Sequence, residues 1–97
     1  MFTGTLVLDL LLGDVHSLKG KRAVVRPILA ELRRRYAVSA AEVGDTGLHR
    51  RTQLGVAVVA GEAGHVGEVL EDCERFVAGR PEIELLSVQR RLHSSQD

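Results

Sequence analysis

Phe2-Thr3-Gly4-Thr5-Leu6-Val7-Leu8-Asp9-Leu10-Leu11-Leu12 carries the strongest constraint on the architecture. Leu6, Leu8, Leu10 and Leu12 alternate with Val7, Asp9 and Leu11, the period-two pattern of a strand with one dry face and one mixed face. Asp9 interrupts the apolar run and no basic segment precedes it. The run also falls far below the ~20 residues that span a bilayer. It reads as a buried strand, not as a targeting or membrane segment.

Gly13, Asp14 and Ser17 break this strand, and the apolar spacing then changes to Val25, Ile28, Leu29, Leu32 and Tyr36, the steps of an amphipathic helix. The spacing predicts a helix from Leu18 to Arg35, bent or irregular at Pro27, where proline removes one backbone hydrogen bond. Ala37 to Val43 reads as a weaker second strand, and Gly44-Asp45-Thr46-Gly47 is turn chemistry that closes a hairpin. The third strand is Thr52 to Ala60. Val66, Val69, Leu70, Cys73, Phe76 and Val77 give the cleanest helical period in the chain, so a second helix is expected from about Glu62 to Ala78. Gly79 and Pro81 stop it. Ile83 to Leu92 is a fourth strand. The order β-α-β-β-α-β is that of the ferredoxin-like α+β fold, a four-stranded antiparallel sheet with two helices on one face and the other face open. A single domain over residues 1–93 is expected, with Ser94, Ser95, Gln96 and Asp97 as a loose tail.

Composition agrees with one core. The chain has 97 residues, 44% hydrophobic and 27% charged, with one cysteine and no tryptophan, values that argue against disorder, collagen and coiled coil. Cys73 has no partner for an internal disulfide, and four histidines without a second thiol argue against structural zinc. A reducing cytoplasm is the expected location. Thirteen basic groups balance thirteen acidic ones, so an electrostatic partner must be sought locally.

The run His16-Ser17-Leu18-Lys19-Gly20-Lys21-Arg22, with Ala41-Glu42-Val43, Leu54-Gly55-Val56-Ala57-Val58-Val59 and Arg80-Pro81-Glu82-Ile83-Glu84-Leu85-Leu86, resembles the YlxP-like family of small uncharacterised bacterial proteins. The resemblance implies the ferredoxin-like fold in a bacterial cytoplasmic protein, whose gene is similar in placement to those of transcription and translation factors such as a ribosome-binding factor. It implies no established activity. The chain departs from the family at Gly20, where a glutamate would complete a Ser-x-x-Glu capping box begun at Ser17.

Residues 1–53 hold nine basic and five acidic groups, and residues 54–97 hold four and eight. Lys19, Arg22, Arg26 and Arg33 recur at helical spacing, with Lys21 between them and Arg34 and Arg35 beyond. Arg50 and Arg51 extend the basic set in the hairpin. Such a stripe can contact phosphates; it is also what a solvated helix face looks like. The acidic stripe Glu68, Glu71, Asp72 and Glu74 reads as solvated surface. Cys73 lies on an apolar stripe and reads as core. Gly61, Gly64 and Gly67 do not match a G-x-G-x-x-G fingerprint, and Asp9 lacks a second carboxylate at catalytic spacing. The open face would present Thr5, Val7, Asp9, Leu11, Gln53, Gly55, Ala57 and Val59 without an aromatic, which excludes base stacking there. Val7, Leu11, Ala57 and Val59 would form an apolar interface patch, suited to a homodimer through sheet faces or edge strands. The expectation is a binding module without cofactor, metal, membrane contact or small-molecule substrate, docking on RNA or a ribosomal particle. A homodimeric protein-interaction module is the competing reading. No nucleophile, base and orienting group assemble from these residues, so enzymatic activity is not expected.

Overall fold

The computed structural model describes residues 1–44 and 47–95. Its elements are β1 (Phe2–Leu12), α1 (Leu18–Tyr36), β2 (Ser39–Val43), β3 (Arg51–Ala60), α2 (Ala63–Ala78) and β4 (Ile83–Ser94). The strands form one antiparallel sheet in the order β2-β3-β1-β4, the ferredoxin-like arrangement. Both helices cover one face. Leu6, Leu8, Leu10 and Leu12 are fully buried there with Leu54 and Val56, beneath Val25, Ile28 and Leu32 of α1 and Val66, Leu70, Cys73 and Val77 of α2.

α1 begins at Ser17, whose hydroxyl accepts from the Gly20 N–H at 3.0 Å. This half of the capping box forms without a glutamate at position 20. The helix runs unbroken through Pro27 on its exposed flank, where water can serve the carbonyl left without a donor. It ends at Ala37, in the left-handed conformation with φ 54° and ψ 45°. The second strand therefore starts at Ser39, not at Ala37: the chain must leave the helix through a left-handed residue before it can extend.

α2 lies directly on β1 at Gly4. A Cβ placed there would come within 2.3 Å of Val66 Cγ1 and 2.8 Å of Leu70 Cδ1. Only glycine permits that approach.

The carboxyl end of the chain is also more ordered than its composition suggests. Ser94 pairs with Phe2, and the Ser95 N–H donates to the Met1 carbonyl at 3.0 Å, so the loose tail does not begin at Ser94. Gln96 and Asp97, with Asp45 and Thr46 of the hairpin, lie outside the described residues. The β1–β4 ladder has one irregularity: Asp9 faces Ser87 and Leu10 faces Leu85, so Leu86 is an extra residue. Glu84 is thereby placed on the same open face as Ser87, Gln89 and Arg91.

Candidate nucleic-acid interface

The fold sorts the seven candidate phosphate contacts, Lys19, Lys21, Arg22, Arg26, Arg33, Arg50 and Arg51, sharply. Lys21 does not belong with the rest. It is only 2% exposed, its Nζ lying 2.7 Å from Glu42 Oε2 and donating to the Leu48 carbonyl at 2.7 Å. Its position explains this: Lys21 precedes Val25, Ile28 and Leu32 by four, seven and eleven residues, so it stands on the apolar stripe of α1, not on the basic one. The same spacing was available in the sequence, and the neighbouring cations disguised it. Thr52, also buried, donates to Glu42 Oε2 at 2.7 Å. Burial pushes the Glu42 carboxyl up, but the hydrogen bonds from Lys21 and Thr52 and the charges of Lys21 and Arg22 outweigh it and hold the group below its ordinary value.

Arg33 is committed as well. Its Nε and Nη2 donate to the Ala40 carbonyl at 3.0 and 2.6 Å. Arg50 Nε donates to the carbonyls of Leu12 and Gly13 at 3.2 and 3.1 Å, and Arg51 pairs with Asp9 across the sheet at 2.8 Å. Asp9 is thus a cross-strand ion-pair partner. These three arginines fasten the hairpin and the β2 edge, so each already has a partner within the fold.

What remains is Lys19, Arg22 and Arg26, exposed on the outer flank of α1 without a hydrogen bond or ion pair among the described residues. With Ala23 and Pro27 they line a shallow open groove. Farther along the helix, Arg34 pairs with Glu31, and the Arg35 guanidinium sits 5.7 Å from the Tyr36 ring centre and 5.8 Å from that of Phe76. The groove therefore gathers three cations of α1 that form no ion pair among the described residues.

The open face is less greasy than its composition implies. Val7, Leu11 and Ala57 are half-buried among neighbours and only Val59, 62% exposed, stands clear. Thr5, Val7, Ser39, Ala41, Val43, Gly55 and Ala57 outline a trough there. Cys73 is fully buried, and burial together with the Asp72 charge pushes its thiol up to about 11. A thiol held protonated is no nucleophile. His16 bonds Asp14 at 2.7 Å on the surface. Among the described residues no group of three or more His, Cys, Asp or Glu side chains could hold a metal ion, and no helix is long and apolar enough to cross a membrane. The space around Gly61, Gly64 and Gly67 is open, so no close approach of backbone requires glycine at those positions.

Fold and surface together define a ferredoxin-like α+β domain with a cationic helix flank. A family described as "Protein of unknown function (DUF503)" matches residues 3–90, and the chain belongs to that family. It is similar to the uncharacterised protein YlxP of Bacillus subtilis (strain 168), 35% identical over 71 residues that make up 73% of this chain and 77% of the relative.

Proposed function

We propose that the protein is a non-enzymatic binding module that docks on RNA or a ribosomal particle through Lys19, Arg22 and Arg26. The observation that carries this reading is the sorting just described: among the described residues these three cations make no hydrogen bond or ion pair, whereas Lys21, Arg33, Arg50 and Arg51 are spent on the fold. Phosphate contacts of this kind position a protein on its target without reading sequence. The open face carries no Phe, Tyr or Trp among the described residues on which bases could stack.

Co-sedimentation with ribosomal subunits and with purified ribosomal RNA across a salt series tests it. Three phosphate contacts give a log–log salt slope of about −2 to −3. Lys19→Glu with Arg26→Glu abolishes binding while leaving the unfolding free energy within a few tenths of a kcal/mol, as expected of exposed residues outside the Lys21–Glu42 pair. Absence of binding at low salt overturns the reading.

A second reading, a homodimeric protein-interaction module using the open face, rests on the small-residue trough over β1, β2 and β3. Ala57→Arg puts a charge on its floor and would remove association through that face without touching α1.

A further inference from the structure

The two edges of the sheet are not equivalent. Leu12 N–H donates to the Arg50 carbonyl, and alternation along the antiparallel ladders then directs the backbone groups of Ser39, Ala41 and Val43 toward β3 and those of Ala40 and Glu42 outward. The outer edge of β2 thus offers two residues, and the carbonyl of one is occupied by Arg33. β4 is twelve residues long. Because Ser95 N–H donates to the Met1 carbonyl, the same alternation turns Ser87, Gln89 and Arg91 toward β1 and leaves the N–H and C=O of Val88, Arg90 and Leu92 pointing away from the sheet.

We propose that a second copy of this chain pairs on that edge, β4 antiparallel to β4, with Val88 on the two-fold axis, giving a continuous eight-stranded sheet. Self-complementarity carries the inference. Counting outward from Val88 on the two strands, Ser87 faces Gln89 of the second copy. One step further, Arg90 faces the bulge at Leu85 and Leu86. Beyond the bulge Arg91 faces Glu84, and Leu92 faces Ile83. The symmetry repeats each match. Both Glu84 and Arg91 lie on the open face only because of the extra residue at Leu86; a regular ladder would put them on opposite faces. On the helix side Arg90 keeps its own Glu74, 3.2 Å away, so its charge does not enter the interface uncompensated. The pairing uses neither α1 nor the trough.

The register is tested by oxidising an equimolar mixture of the single variants Ser87→Cys and Gln89→Cys. Facing residues of a non-hydrogen-bonded pair stand about 4.5 Å apart at Cα, within disulfide reach, so the mixture cross-links in high yield and each variant alone does so poorly. Cys73 is buried and stays silent. In parallel, sedimentation equilibrium at tens of micromolar gives a dimer for the native chain, a monomer for Arg91→Glu, and a dimer again for the swap Arg91→Glu with Glu84→Arg. A monomeric native chain, a dimer indifferent to Arg91→Glu, or equal cross-linking of all three samples overturns the proposal.

Discussion

Lys21 Nζ and Glu42 Oε2 meet 2.7 Å apart, tying the first turn of α1 to the edge strand β2. A second tether, from the same ammonium to the Leu48 carbonyl, fixes the far end of the β2–β3 connection. Lys21→Met removes the charge and leaves Glu42 and the Leu48 carbonyl short of a donor. A fully buried pair broken this way costs about 3–5 kcal/mol. Glu42 keeps Thr52 and its side chain is 22% exposed, so water relieves part of the penalty and a loss of about 2–3 kcal/mol in urea unfolding at neutral pH is expected.

The same pair makes stability depend on pH. The Glu42 carboxyl titrates below its ordinary value of 4.5 in the folded chain, so the unfolded chain binds the proton more readily. The contribution is complete above that ordinary value and is lost as pH falls through the lowered folded value. Glu42→Gln therefore flattens the acid limb of a stability profile measured by urea midpoint.

At Gly4, alanine forces Val66 and Leu70 away from the sheet. Overpacking of this kind costs about 1–3 kcal/mol. Thermal unfolding of Gly4→Ala should fall accordingly, and Val66→Ala in the same chain should recover part of the loss by opening the space.

Ala37 and Gly20 are places where the chain can be improved. The left-handed Ala37 costs roughly 1 kcal/mol relative to glycine, and Ala37→Gly should return most of it. Gly20→Glu replaces a helix-interior glycine, completes the reciprocal cap with Ser17 and places a negative charge at the helix N-terminus. Together these stabilise by about 1 kcal/mol, measurable as a higher urea midpoint with an unchanged slope.

Cys73 is expected to resist a thiol-specific reagent at pH 8 in the native chain and to react fully once unfolded, because a thiol raised to about 11 holds little thiolate at that pH. Rapid native labelling would mean that α2 opens locally.

Most of the architecture was legible because alternation at Leu6, Leu8, Leu10 and Leu12 and the helical period from Val66 to Val77 each admit one arrangement of faces. What escaped was decided by contacts across the fold. The bulge at Leu86 depends on how β4 meets β1, and Gly4 is marked only by the helix above it. The candidate site was half legible: the stripe Lys19, Arg22 and Arg26 emerges from spacing, whereas the diversion of Arg33, Arg50 and Arg51 to backbone carbonyls and to Asp9 depends on where distant strands lie. Only Lys21 could have been separated beforehand, by its step of four to Val25.

The guanidinium of Arg33 on the Ala40 carbonyl has a consequence for growth. A sheet with two receptive edges can add copies without end, and such chains become filaments. Here one edge is short and plugged. An assembly built through the other therefore finds only this short, partly occupied margin at each end, which favours a closed pair over a fibre.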